Sequence, residues 1–204
     1  MKRILLIALM EMALLQPICA KEFKAGLAVT PIGENAVFHL MPGLVGSPGY
    51  YGDNFYTVGV TFQIPITARL EVETGFEYSK HSIIIHPNLP KGEDNTPYKT
   101  AFKLVSIPVT LNTKFLKYFF VNGGGLLDID ARTSGSIDNQ TGLGIILGAG
   151  VKYDFKFGGS IFVNPYVKVH ALAPFLWNPY YHERLAESGI RVGVTYNMSK
   201  KIQK

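Results

Sequence analysis

Residues 69–78, RLEVETGFEY, alternate without a break between two kinds of side chain. In an extended strand, successive side chains point to opposite faces, so the stretch has an apolar face and a mainly charged one. The first face carries Leu70, Val72, Thr74, Phe76 and Tyr78, and the second carries Arg69, Glu71, Glu73, Gly75 and Glu77. A soluble protein would turn the charged face to water, whereas a small membrane barrel turns its apolar face to lipid.

The same period of two recurs along the chain and predicts eight strands. They lie near residues 23–30, 55–66, 69–85, 101–114, 117–133, 142–156, 159–172 and 187–198. Residues 35–41 either prolong the first strand or belong to a loop. We find no convincing amphipathic helical pattern.

The connections between these strands alternate in length. Tight turns are expected at Thr67-Ala68, Phe115-Leu116 and Phe157-Gly158. Long loops are expected at 31–54, 86–100, 134–141 and 173–186. This alternation places all short turns at one end and all long loops at the other, which predicts an all-β fold, an eight-stranded antiparallel up-and-down transmembrane β-barrel.

Two arguments favour an apolar outer face. An eight-stranded barrel encloses little more than side-chain volume, too little for the several dozen large apolar side chains of the strands. The charged face is also the one that carries glycines, which a crowded interior needs beside long side chains. They are Gly59, Gly75, Gly124, Gly142, Gly144, Gly148, Gly150, Gly189 and Gly193.

Aromatic residues concentrate near both ends of the strands, as in the girdles of a barrel in lipid. The short-turn end has Phe115, Tyr118, Phe119, Phe120, Tyr153, Phe155, Phe157 and Tyr196. The long-loop end has Tyr50, Tyr51, Phe55, Tyr56, Phe175, Trp177, Tyr180 and Tyr181. These belts predict a location in the bacterial outer membrane, with a secreted lipocalin-like ligand binder as the soluble alternative.

The N-terminal segment MKRILLIALMEMALLQPICA has a basic start, an apolar stretch and a helix-breaking proline, which predicts a signal peptide over residues 1–20. Residues 21–204 then form one outer-membrane β-barrel domain. Cys19, the one cysteine, is an alternative lipidation site. The net charge is +5, but basic residues alternate with acidic ones, so no nucleic-acid-binding surface is expected.

Three stretches resemble consecutive strands of the small outer-membrane β-barrel domain of PorT-like and porin-family proteins of Gram-negative bacteria. They are LVSIPVTLNTKF (104–115), YFFVNGGGLLD (118–128) and GLGIILGAGVKYDF (142–155), and residues 56–80 are similar to that family's second hairpin. The resemblance implies a role as an accessory to secretion or assembly. Such barrels usually end on an aromatic residue, whereas here GVTYNM is followed by a basic tail, so Tyr196 has that role internally or the last strand is misassigned.

Charged side chains on the inward face form a predicted lumen cluster. It comprises Arg69, Glu71, Glu73, Glu77, Asp128, Asp130, Arg132, Lys152, Asp154, Lys168, His170 and Arg191. The cluster is either a proton relay, transport path or acid–base pair, or a structural plug of paired charges. The near balance of signs favours the plug, because a buried charge without a partner costs several kcal/mol.

Catalysis and metal binding are alternatives for the histidines. His81 with Ser82, or His170 with Asp128 or Asp130, could form a nucleophile and base, but the spacing is not diagnostic. His81 and His86 have opposite strand parity, and His170 and His182 lie on different segments. We therefore expect no enzyme, no metal and no cofactor.

The last long loop is a candidate interaction surface. FLWNPYYHER (175–184) concentrates Phe175, Trp177, Tyr180 and Tyr181 with Arg184, a composition common at binding surfaces. A membrane-interface girdle explains the same residues.

The sequence thus predicts a plugged barrel with a structural or surface-interaction role. Its expected partners are outer-membrane lipid and other envelope proteins. Alternatives are a narrow porin-like channel for solutes and a lipid-modifying barrel enzyme.

Overall fold

The computed structural model of the chain describes residues 23–39, 48–131, 137–175 and 183–198. They form eight strands: β1 Lys24–His39, β2 Gly49–Pro65, β3 Leu70–His86, β4 Tyr98–Phe115, β5 Phe119–Asp130, β6 Gly142–Asp154, β7 Gly159–Pro174 and β8 Glu183–Asn197. Among these residues there is no helix long and apolar enough to cross a membrane. The predicted signal peptide and the basic tail after Met198 lie outside the described residues.

The strands form a closed antiparallel barrel in sequence order. Each strand pairs with the next, and β1 closes the ring by pairing with β8, from Lys24 opposite Asn197 to His39 opposite Glu183. Neighbouring strands are therefore joined up and down around the ring, as predicted. Tyr196 lies near the end of β8 with its side chain outward and exposed, so the last strand was assigned correctly.

The short turns owe their shape to local hydrogen bonds and to backbone freedom. In the β2–β3 turn, the Thr67 hydroxyl accepts hydrogen bonds from the backbone N–H groups of Arg69 (3.2 Å) and Leu70 (3.0 Å). In the β6–β7 turn, Gly158 has φ +93°, a conformation that glycine adopts without steric cost. These turns lie at one end of the barrel, the short-turn end.

The prediction of a loop over 31–54 was wrong. β1 continues to His39 and β2 begins at Gly49, so most of that range pairs with neighbouring strands. The register slips between Val29 and Ile32 and again between Gly52 and Phe55, so these strands contain bulges. A bulge interrupts the two-residue period, which is why the sequence suggests a loop.

The faces of the barrel are those that the apolar-out argument predicts. In β3, Glu71, Glu73 and Glu77 are at most 5% exposed, whereas Phe76 on the other face is 55% exposed. The same holds in β6, where Leu147 is exposed and Lys152 is buried. Ile146, which breaks the alternation in sequence, points inward and is buried.

The aromatic belts are only partly as expected. At the short-turn end, Phe115, Tyr118, Phe119, Tyr153, Phe155, Phe157 and Tyr196 are exposed on the outer surface. Phe120 and Phe55 were assigned wrongly, since both point into the lumen and are buried. Tyr51, Tyr56 and Phe175 are exposed near the long-loop end, and Trp177, Tyr180 and Tyr181 lie outside the described residues.

All eight strands are longer than a bilayer crossing requires, and β2, β3 and β4 are the longest. These three have 17, 17 and 18 residues, whereas about 9–11 tilted residues cross the hydrocarbon core. The outer surface becomes charged where Lys80 of β3 pairs with Lys103 of β4. Beyond that pair, the interior holds an apolar cluster, which we call the apolar cap. Its members are Ile83, Ile85, Phe102, Leu104, Ile137 and Leu185.

Candidate functional site in the barrel lumen

The lumen below the apolar cap holds a network of buried charged side chains. The network begins at the short-turn end, where Glu71 of β3 binds two lysines. Its carboxylate oxygens lie 2.8 Å from Lys152 Nζ and 2.8 Å from Lys114 Nζ. At the mouth of the lumen, Asp154 lies 2.7 Å from Lys24 Nζ and 3.3 Å from Lys114 Nζ. Both acids are therefore paired with bases.

The middle of the lumen centres on Glu73. Arg191 Nη1 lies 2.5 Å from Glu73 Oε1. Gln63 Nε2 and Asn112 Nδ2 donate hydrogen bonds to Glu73 Oε2, at 2.9 and 2.8 Å. Four side chains from β2, β3, β4 and β8 thus meet across the lumen, and Arg191 continues the network through Nε, 3.4 Å from Glu77 Oε1.

Above this point Lys168 joins two carboxylates. Its Nζ lies 2.6 Å from Glu77 Oε2 and 3.1 Å from Glu187 Oε1. The Tyr166 hydroxyl also donates a hydrogen bond to Glu187 Oε1, at 2.9 Å. Lys168 and Glu187 are at most 3% exposed, so both side chains are shielded from bulk solvent.

The upper end of the network contains two histidines. His170 Nδ1 lies 3.0 Å from Asp128 Oδ1, which also accepts a hydrogen bond of 2.6 Å from the Ser106 hydroxyl. His81 Nε2 and His170 Nε2 lie 3.4 and 3.5 Å from the same oxygen, Glu187 Oε2. The charged network therefore runs from the short-turn mouth to this histidine pair.

Inward glycines make room for these long side chains. A Cβ atom on Gly144 would lie 2.9 Å from Asp128 Oδ2, and one on Gly193 would overlap the Phe162 ring. That ring packs beneath the Arg191 guanidinium, 5.4 Å from the ring centroid. The glycines on the polar face thus have the spacing role that the sequence predicts.

The apolar cap and the described end of the β5–β6 loop lie over the lumen at the long-loop end. Gln140 holds this loop against β8, because its Nε2 donates to the Glu183 carbonyl (3.0 Å) and its Oε1 accepts from Leu185 N–H (3.1 Å). Ile137, the first residue after the part of this loop that is not described, packs in the cap.

Most of the predicted lumen residues do meet in the lumen. Glu71, Glu73, Glu77, Asp128, Lys152, Lys168, His170 and Arg191 are all buried there. Arg69 was assigned wrongly, because it lies exposed in the β2–β3 turn, after β2 has ended. Asp154 is exposed at the mouth although paired, and Arg132 lies outside the described residues.

Asp130 is at the rim rather than in the lumen network. It is the last residue of β5, and its Oδ2 accepts a hydrogen bond of 3.0 Å from Gln140 N–H. Its role in the structure is to fix the start of the β5–β6 loop. The predicted pairing of His170 with an aspartate thus involves Asp128.

The predicted interaction surface keeps Phe175 but loses Arg184. Phe175 is 58% exposed, but Arg184 is 3% exposed and its Nη1 donates to the Glu183 carbonyl at 2.7 Å. Arg184 therefore cannot be the exposed base of a binding surface, as the sequence suggests. Its inward position follows from a local break in the two-residue period, since Arg184 and Leu185 are both buried.

Sequence reasoning missed two residues at the centre of the network, Glu187 and His81. Glu187 lies two and four residues before Gly189 and Arg191, so the alternation in β8 predicts that its side chain also points inward. His81 was considered only with Ser82 or His86. The side chain of Ser82 points to the outer face of β3, whereas that of His81 points into the lumen. The predicted nucleophile–base pair of His81 and Ser82 therefore does not form. The hydroxyl near His81 Nε2 is instead that of Ser79, at 2.9 Å.

No family model matches the sequence, and no curated protein matches it. Solved structures do match. The outer membrane protein OprG from Pseudomonas aeruginosa aligns with a TM-score of 0.52 and 12% identity, over 88% of this chain and 95% of that one. Ail, the attachment invasion locus protein of Yersinia pestis, solved in complex with the heparin analogue sucrose octasulfate, aligns with a TM-score of 0.43 and 11% identity, over 87% and 99%.

The chain has the fold of the small eight-stranded outer-membrane barrels. The similarity to OprG extends over most of both chains. At this identity it shows the fold alone. The particular relation to PorT-like proteins that the sequence suggests finds no support among the comparisons.

Proposed function

We propose that this protein is a closed outer-membrane barrel of a Gram-negative bacterium that acts through its long-loop end, as a surface-interaction protein. The observation that carries the proposal is the row of ion pairs in the lumen. It runs from Glu71 to Glu187, and the apolar cap lies above it. A solute would have to break several buried ion pairs, each of which is costly to separate.

The apolar band on the outer surface supports the membrane location. Leu27, Phe76, Leu111, Leu147 and Val194 are each more than half exposed in the isolated chain. Side chains of this kind on all sides of a barrel would aggregate in water, whereas lipid covers them. The long loops of such barrels face the cell exterior.

The long-loop end offers a shaped surface to a partner. The loop between β3 and β4 is fastened by Asn95, whose Oδ1 accepts from Leu89 N–H (2.8 Å) and whose Nδ2 donates to the Leu89 carbonyl (3.2 Å). The same loop lines a cleft of 590 Å³, where Leu89, Tyr98 and three prolines lie beside the polar residues Asn88, Asp94 and Thr96. An ordered loop costs little entropy when a partner binds.

The chemistry of the loop is suited to another envelope protein. Leu89 is 49% exposed, and hydrogen bonds from Thr96 lower the pKa of the Asp94 carboxyl, which keeps it anionic. The resemblance to PorT-like barrels would make that partner a component of secretion or assembly. We propose no catalytic role, because the histidine and serine hypothesised to react lie on opposite faces of β3.

Two experiments test this function. In planar bilayers the refolded protein should give no steady current, and reproducible single-channel steps would favour the narrow solute channel instead. In cells, a photo-crosslinking amino acid at Leu89 should capture an envelope protein, while the same probe at Lys156 in the β6–β7 turn should not. Equal crosslinking at both positions, or none at Leu89, would contradict the interaction role.

A further inference from the structure

Two histidines lie at the top of the charged network, where both meet the carboxylate of Glu187. His81, His170 and Glu187 come from β3, β7 and β8, and their side chains are at most 1% exposed. Each offers one ligand atom, and these atoms lie within 4.8 Å of one another. Imidazole nitrogens with a carboxylate oxygen are the ligand set that proteins use for zinc and related transition metals.

Two of these ligand atoms have no hydrogen bond among the described residues. His170 Nε2 and Glu187 Oε2 are buried, and each has no hydrogen-bond partner although they are 3.5 Å apart. Buried polar atoms almost always have a partner, so an exception needs an explanation. An ion between them would satisfy both atoms.

The spacing fits a tetrahedral ion. With ligands at about 2.0–2.1 Å from Zn²⁺, the ligand atoms of a tetrahedral site lie about 3.4 Å from one another. The Glu187 Oε2 atom is 3.4 Å from His81 Nε2 and 3.5 Å from His170 Nε2. Two of the distances between ligand atoms therefore already match a tetrahedral site, and a water molecule can be the fourth ligand.

The surroundings hold the two imidazoles in place. His170 Nδ1 lies 3.0 Å from Asp128 Oδ1, so a carboxylate lies beside the ring nitrogen that is not the proposed ligand. His81 lies between the rings of Phe55 and Phe102, at centroid distances of 5.1 and 5.4 Å. A carboxylate behind a metal-binding histidine is the usual arrangement in metal sites.

We propose that His81, His170 and Glu187 form a binding site for a divalent transition-metal ion, with Zn²⁺ the best fit. The apolar cap covers the site, so the ion enters as the barrel folds and stays in the folded state. The ion joins β3, β7 and β8 across the lumen. This site is independent of the surface-interaction role.

The test is to refold tag-free wild-type protein into detergent with ZnCl₂ or with EDTA, remove free metal by gel filtration, and measure zinc by mass spectrometry. We expect close to one zinc per chain after refolding with ZnCl₂, and a higher Tm than for the EDTA sample. Refolding with Co²⁺ should give the strong visible absorption of a tetrahedral site. A zinc content near zero, or no difference in Tm, would overturn the proposal.

Variants locate the ion. His170→Gln and Glu187→Gln should each lose the bound zinc and the rise in Tm, whereas His86→Gln, at an exposed histidine of the same strand as His81, should keep both. Zinc retained by His170→Gln, or lost from His86→Gln, would place the ion elsewhere and refute the site. If the lumen variants do not fold, the zinc content and the Co²⁺ spectrum of the wild type decide.

Discussion

The two halves of β3 have the same alternation but opposite chemistry. In the half near the short turns, Glu73 and Glu77 point inward and Phe76 points outward. In the half near the long loops, Ile83 and Ile85 point inward, and His86 is exposed on the outside. Lys80, opposite Lys103 of β4, stands between the two halves.

The difference indicates where the medium around the barrel changes. In lipid, apolar side chains face outward and the polar ones must pair inside. In water, burial of apolar surface stabilises the interior, as in any soluble domain. We therefore expect the strand to leave the membrane near Lys80, and the part above it to fold around the apolar cap as a soluble barrel does.

The largest expected change in the free energy of unfolding comes from a substitution in the half near the short turns. Arg191→Ala should lower the free energy of unfolding by about 3–5 kcal/mol, because it leaves Glu73 buried without its cation. Urea titration of the protein in lipid vesicles measures this loss. The matched control, Lys91→Ala in the β3–β4 loop, should change it by about 0.5 kcal/mol or less. Equal losses would mean that the lumen is hydrated and its charges are screened.

The second prediction compares the outer surfaces of the two halves of β3. Phe76→Arg puts a charge at mid-strand in the lipid half and should cost about 2–4 kcal/mol. Ile84→Arg, on the same face of the same strand but above Lys80, should cost about 0.5 kcal/mol, as an ordinary surface substitution does. Urea titration in vesicles compares the two variants. A similar cost at both positions would contradict a change from lipid to water between the two halves.

The alternation that revealed the barrel also limited what the sequence could show. Period two gave the strand count, the alternating connections and the inward acids of β3, because these depend on neighbours in the chain. It did not reveal the apolar cap. The alternation places Ile83 and Ile85 on the inner face, but nothing in the sequence shows that this part of the strand lies outside the membrane. Bulges in β1 and β2 likewise hid strand pairing that depends on β8 and β3.

The candidate site shows the same limit. Arg191 and Glu73 are 118 residues apart in sequence, and nothing local connects them. Their inward positions were predictable, but their pairing follows from the stagger of the strands around the ring. His81, His170 and Glu187 meet for the same reason, from three strands whose order in space only closure of the barrel determines.

The smallest effect tests whether the upper half has an apolar core. Ile83→Val removes one buried methyl group from the cap and should lower the free energy of unfolding by about 0.5–1.5 kcal/mol. Ile84→Val, the next residue on the outer face, should cost less because it leaves no cavity. Thermal unfolding of the two variants in the same detergent makes the comparison. A greater loss at Ile84 would mean that the cap does not pack as described.

The most direct test of the boundary is a spin-label scan along the outer face of β3. Cysteines are placed singly at Val72, Thr74, Phe76, Tyr78, Lys80, Ser82, Ile84 and His86 in a chain that begins at residue 21 and so lacks Cys19. Collision with oxygen, which concentrates in lipid, is compared with collision with a water-soluble nickel complex. We predict oxygen-dominated collisions through Tyr78 and nickel-dominated collisions from Ser82 onward. Nickel-dominated collisions at every position would contradict the membrane barrel, and oxygen-dominated collisions up to His86 would contradict the change of medium at Lys80.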